Sequence, residues 1–396
     1  MHVKSLDGAR GVAAGLVAVD HFILLVMQPD ESSRLHAVAA FMGSFGVGLF
    51  FLISGFVIPQ TLRRGSWDYA ARRVFRIYPV AIAGAVLALG INWLGGQDNG
   101  TFLATITLVG DLSYYNADLL MPIFWTLTIE VAFYVLAGLI GRFTARGTDG
   151  RSVYYVLLGV LAATIVIMKA APAGSSPLRV GLLVILCCWP MLLIGWFCYL
   201  LRSGSIDQPL FLLGTALAFV TLSTGLYPYF GWRLGAPSWL LAFVVFSVLV
   251  FGRARTLPRV LSRPLASLGV VTFSLYVVHV PIADGLARVD LPLPVLALAY
   301  VAAVAVLSVL LHWVAEKPGI ALGKRVAELG TRLWGAPQAA VAAPVPAGPS
   351  ADPMTLVLRP AESAERVLPP VPTAALPTGA ARAFPAPRRH ELGVPA

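Results

Sequence analysis

Charge is what this chain has least of. Asp, Glu, Lys and Arg make up 12% of its 396 residues, against about 25% in a typical soluble domain. So few charges cannot coat a soluble surface. Cysteine is scarce too: Cys187, Cys188 and Cys198 share one apolar stretch, with no histidine at metal-ligand spacing. That excludes a disulfide framework and a zinc motif, and the three are expected to be small buried thiols. No metal site is expected. No internal repeat is evident, which withholds support from a transporter built of inverted repeats. The net charge is +10, yet the basic residues fall in short clusters between apolar runs. Membrane topology explains such clusters, and no nucleic-acid partner is expected.

What is present is apolar sequence in long runs. The chain is 58% hydrophobic, with a mean hydropathy of +0.80. About ten runs approach the roughly 20 residues that cross a bilayer core. They cover 9–28, 41–62, 75–95, 122–141, 153–170, 180–200, 209–226, 237–252, 265–286 and 294–315. The expected fold is all-α, a polytopic transmembrane helical bundle in contact with the lipid bilayer. The first run is expected to be a retained span and not a signal peptide, because Asp20 and His21 interrupt its apolar core. The less apolar stretch 101–121 is expected to lie in or re-enter from the interface.

Basic residues concentrate in alternate connections: Lys4 and Arg10, then Arg63 to Arg76, Arg142 to Arg151, Arg202, Arg253 to Arg263, and Lys317 to Arg325. By the positive-inside rule both termini are expected in the cytoplasm. Alanine- and proline-rich sequence such as "APVPAGPSADP" cannot bury a core. A transmembrane domain over 1–330 followed by a disordered cytoplasmic tail over 331–396 is therefore expected.

Ionisable residues inside apolar runs are costly and usually functional. Arg10 and His21 stand eleven positions apart, which puts them on one helix face, roughly 20° apart and roughly 16 Å apart along the axis. Asp20 points about 100° away on the same wheel and is expected to meet a basic or hydroxyl group on another helix. Ser54–Gly55 interrupts "GVGLFFLISGFVIPQTL", for close helix packing or for the approach of a ligand to backbone. Arg73 and Arg76, in "ARRVFRIYP", offer guanidinium forks suited to phosphate. Glu130, inside "FWTLTIEVAFYVL", must be paired or protonated and is a candidate partner for His21 or for an acceptor hydroxyl. His279 and His312 near the end of the apolar region are expected to be structural, with Glu316 one turn from His312. These residues alone leave two classes open: an enzyme, or an exporter of a glycan or acylated metabolite that does no chemistry.

Six segments in order carry a resemblance: "LDGARGVAAGLVAVDH", "LFFLISGFVI", "RRVFRIYP", "FWTLTIEVAFY", "FSLYVVHVPI" and "WVAEKP". Together, over about residues 3–325, the chain resembles the acyltransferase-3 family of integral membrane acyltransferases. The resemblance implies transfer of an acyl group, commonly acetyl, from cytoplasmic acyl-coenzyme A to a hydroxyl of a carbohydrate or glycosylated small molecule. It implies that His21 and Glu130 are catalytic and that Arg10, Arg73, Arg76 and Ser54 bind the donor. It also implies a location in the bacterial cytoplasmic (inner) membrane. Asp20 departs from the family pattern, which usually has an apolar or aromatic residue before the motif histidine. A histidine base near neutral pH suits the removal of a hydroxyl proton.

Overall fold

The computed structural model describes residues 4–62, 66–96, 102–108, 120–144, 149–170, 177–230, 232–252 and 268–334. They belong to one unit, Met1–Ala342. The expected tail lies outside the described residues from 335 onward. Every regular element among the described residues is a helix. In chain order these are α1 (Lys4–Phe22), α2 (Arg34–Thr61), α3 (Ser66–Leu94), the short α4 (Phe102–Thr107) and α5 (Trp125–Thr144). Then follow α6 (Gly150–Ala170), α7 (Pro177–Arg202), α8 (Gln208–Phe230), α9 (Trp232–Phe251), α10 (Thr272–Leu286), α11 (Leu293–Leu311) and α12 (Lys317–Trp334). Two π-helical turns, Ile23–Met27 and His312–Glu316, extend α1 and join α11 to α12.

The chain is a multi-pass membrane protein. Seven stretches among the described residues are long and apolar enough to cross a membrane, fewer than the ten expected. Two shorter apolar helices, Gln208–Ser223 and Ala236–Phe251, fall on two of the other expected runs. The surface of the bundle agrees with a lipid environment. α11 turns Leu298, Val301, Val306 and Leu310 outward, an apolar stripe that water would not tolerate and acyl chains do.

Helix α2 is the axis of the bundle. Ser33 caps it by accepting the His36 amide at 3.1 Å, which fixes its start seven residues before the apolar run begins. From Leu49 to Phe56 every α2 residue but Phe50 is buried, because α1, α7 and α9 pack around it. Lipid tails are as apolar as leucine, so these helices associate through close packing. At the crossing of α2 with α7, a methyl group on Gly55 would overlap the Leu192 backbone, and one on Gly195 would overlap that of Leu52. Aromatic edges fill the rest, with Phe51 against Trp125 and Trp239, and Phe56 against Tyr199 and Phe246. Cys187, Cys188 and Cys198 are free and buried in α7, as expected.

Helix ends depart from the hydropathy reading. α3 begins at Ser66, nine residues before its apolar run, so Arg73 and Arg76 lie two to three turns inside a helix. The expected interfacial stretch 101–121 yields the short α4, and 109–119 lies outside the described residues. Helix α12 continues to Trp334.

Candidate functional site

The helices bearing the quoted motifs enclose a cavity of about 390 Å³. α2 contributes one face at helical spacing: Val47, Phe50, Phe51, Ser54, Val57 and Thr61. Fourteen positions at 1.5 Å make this wall roughly 21 Å long. α3 lines it with Asp68, Tyr69, Arg72, Arg73, Arg76 and Ile77, and α5 with Thr126, Leu127, Glu130 and Tyr134. Arg10 of α1, Phe273 and Tyr276 of α10, and Glu316 of the second π turn also line it. The lining is graded. Arginines and hydroxyls cluster around the Thr61 end, and Val47, Phe50, Phe51 and Leu127 form an apolar inner end.

The polar end is a tied network. Glu130 Oε1 accepts the Ser54 hydroxyl at 2.9 Å and the Tyr134 hydroxyl at 2.6 Å. Arg73 donates to Thr61 Oγ1 at 3.1 Å and reaches the Tyr134 hydroxyl at 3.5 Å. Its guanidinium also lies over the Tyr134 ring, 4.8 Å from the centroid, a cation–π contact. Arg72 is neutralised by a fork onto both Asp68 oxygens, each at 2.9 Å. Arg10 and Arg76, by contrast, have no hydrogen-bond or ion-pair partner among the described residues. Arg10 lies within electrostatic range of Glu130 and Tyr134, and Arg76 within that of Arg10 and Tyr134. Two guanidinium groups facing a cavity without counter-ions fit an anionic ligand. On the far wall Glu316 is buried and accepts from Ser274 at 2.7 Å, with His312 Nδ1 at 3.0 Å.

Of the six expected site residues, Arg10, Ser54, Arg73, Arg76 and Glu130 line the cavity and His21 does not. Arg10 is thus brought together with the α3 arginines, and Glu130 is paired with Ser54 and Tyr134 instead of with His21. His21 lies beyond the inner end of the cavity. Its neighbour Asp20 packs at Gly43 of α2, one turn past Val47. The His21 ring meets the His279 ring edge-on at 5.0 Å. His279 is in turn 5.6 Å from the ring of Tyr276, which lines the cavity. Tyr276 is held in place: its hydroxyl lies 2.5 Å from Thr126 Oγ1 and donates to the Ile123 carbonyl at 2.5 Å. A continuous chain of rings, Tyr276, His279 and His21, therefore leads from the cavity to the imidazole.

Asp20 corrects its expectation. Instead of reaching a basic or hydroxyl group on another helix, its Oδ2 turns back to 3.4 Å from its neighbour's Nδ1. The helical wheel gives the direction of Cα–Cβ, and the side-chain rotamer, free to turn over Gly43, does the rest. Thr61, Tyr69, Tyr134, Tyr276 and Glu316 were missed as site residues. For Tyr134 and Glu316 the spacing held a signal: each stands four positions from an ionisable partner, Glu130 or His312, on one helix face.

Among the described residues no group of three or more His, Cys, Asp or Glu side chains is placed to hold a metal ion. No curated protein and no solved structure matches the chain. The family model described as an acyltransferase domain nevertheless matches residues 3–315, and the chain belongs to the acyltransferase-3 family.

Proposed function

We propose that the chain transfers an acyl group, acetyl in the first instance, from acyl-coenzyme A to a hydroxyl of a carbohydrate or glycosylated small molecule. The observation that carries this proposal is the graded cavity: Arg10 and Arg76, without partners among the described residues, beside Arg73 at one end, and aromatic walls leading toward His21 at the other. The donor's phosphates dock on the arginines. Its pantetheine arm follows the α2 wall, whose roughly 21 Å is of the length such an arm needs. The thioester then arrives at the Tyr276–His279–His21 end. His21 Nε2 takes the proton from the acceptor hydroxyl as its oxygen attacks the thioester carbonyl carbon. The carbon–sulfur bond breaks, and the proton passes to the departing sulfur. A transient acyl-imidazole on His21 is the stepwise form of the same transfer, and burst kinetics separate the two. Tyr276 is the partition that the acyl end must pass.

The basic end, where the arginines of α1, α3 and α12 gather, faces the cytoplasm of a bacterial inner membrane in this account, with both termini on that side. The acceptor approaches His21 from the opposite end. The test is to incubate purified, reconstituted protein with labelled acetyl-coenzyme A and a glycan mixture. Label bound covalently to a glycan is the expected result. Label or glycan accumulating inside vesicles without a new covalent product would identify a carrier instead.

A further inference from the structure

The proposed transfer makes no use of Asp20, a buried carboxyl that the packing does not explain. Its Oδ1 has no hydrogen-bond partner among the described residues, and leaving such a buried group unmet is destabilising. Space for it is provided by Gly43, where a methyl group would overlap the carboxyl. The other oxygen lies 3.4 Å from His21 Nδ1, and the Val17 carbonyl lies 2.9 Å from that same nitrogen. The titratable groups facing the pair from neighbouring helices are His279 of α10, in ring contact with His21, and Tyr300 of α11. The Tyr300 hydroxyl donates to the Ala18 carbonyl at 2.8 Å, so it is spent on backbone.

Two oxygen acceptors therefore face Nδ1 and no donor does. Only a protonated Nδ1 suits that setting, which leaves the lone pair on Nε2. When Nε2 gains a proton, the positive imidazolium has a carboxyl beside it. We infer that Asp20 is a positioning residue for His21: beside the Val17 carbonyl that holds the proton on Nδ1, its carboxylate supports the charge that forms when Nε2 takes the hydroxyl proton. The inference rests on the acyl transfer proposed above.

The test uses the full-length protein in nanodiscs, unaltered and as Asp20→Asn. Each is treated with diethyl pyrocarbonate across about pH 5 to 9, the range in which histidine titrates. Peptide mass mapping reads carbethoxylation at His21, and because only neutral imidazole reacts, the midpoint reports its protonation. Asp20→Asn should lower the midpoint by about one pH unit, as expected on removing an opposite charge within a few ångströms. Thiol release from acetyl-coenzyme A with a glycan mixture should fall by about tenfold, part of what a general base contributes. The KM for acetyl-coenzyme A should stay unchanged. Gly43→Ala, which displaces the carboxyl, should shift the midpoint in the same direction and add nothing in an Asp20→Ala background. Coincident midpoints in the unaltered and Asp20→Asn proteins, or a shifted midpoint with unchanged turnover, would overturn the inference alone if His21→Ala is inactive. Full turnover in His21→Ala would remove His21 from the reaction, and the positioning role with it, whereas no labelled glycan from the unaltered protein would overturn the transfer itself.

Discussion

Two polar clusters lie within one bundle and are finished differently. Around Glu130 the acceptor oxygen is met twice, by Ser54 and Tyr134, and Arg73 is held by Thr61 and the Tyr134 ring. Around His21, Asp20 Oδ1 and His279 Nε2 are buried with no partner among the described residues. A network satisfied in advance holds its shape and frames Arg10 and Arg76, the donors left for a ligand to meet, so little ordering is left to do. A cluster with unmet atoms is poised for groups that come and go. On the proposed transfer, the first cluster serves binding and the second proton transfer, with Tyr276 between them.

If that division holds, His21→Ala should give the largest effect. Turnover should drop by roughly the 10²–10⁴ that a general base contributes, with the protein still folded and acetyl-coenzyme A still bound. Near-normal product formation would remove His21 from the mechanism. Arg76→Ala comes next and is a cleaner probe than Arg73→Ala, because Arg73 also braces Tyr134 and Thr61. Losing one charged contact worth about 1.5–3 kcal/mol should weaken coenzyme A binding by about tenfold to a hundredfold, read by titration, and leave acceptor affinity unchanged. An unchanged donor affinity would separate the arginines from the donor.

The partition predicts a smaller and more selective effect. Tyr276→Ala should open room at the inner end and raise butyryl relative to acetyl turnover by about tenfold, from roughly 0.8 kcal/mol for each buried methylene. A constant ratio would show that the acyl end does not lie against Tyr276. Ser54→Ala should be the mildest: Glu130 keeps the Tyr134 hydroxyl, and losing one hydrogen bond of about 1 kcal/mol costs turnover about fivefold. A loss as great as that of His21→Ala would move Ser54 from support into the reaction.

The apolar runs and their order were legible in the sequence because lipid contact demands them. The five cavity-lining candidates were legible because arginine, glutamate and serine in such runs stand out. Helix starts were not: hydropathy reads lipid contact, and the polar first turns of α2 and α3 are helical through backbone hydrogen bonds and packing. Nor was the setting of Asp20, since the space it fills is made by Gly43 on another helix. Tyr134 stands one turn from Glu130, which spacing can show, but the place of Tyr276 between the cavity and His279 comes only from tertiary contacts. The π turn at His312–Glu316 inserts an extra residue into the α11–α12 helix, a register change invisible to an α-helical wheel. It leaves Glu316 on the cavity wall.

The central claim is that the arginine end and His21 serve one substrate along one path. The direct measurement is an experimental structure with a non-cleavable thioether analogue of acetyl-coenzyme A bound. Phosphates at Arg10, Arg73 and Arg76, Tyr276 turned aside, and the analogue's carbonyl carbon close enough to His21 for a hydroxyl to fit between them are the predicted arrangement. An acyl end stopped on the cavity side of an unmoved Tyr276, in a state that still turns over when crystallised with acceptor, would contradict it.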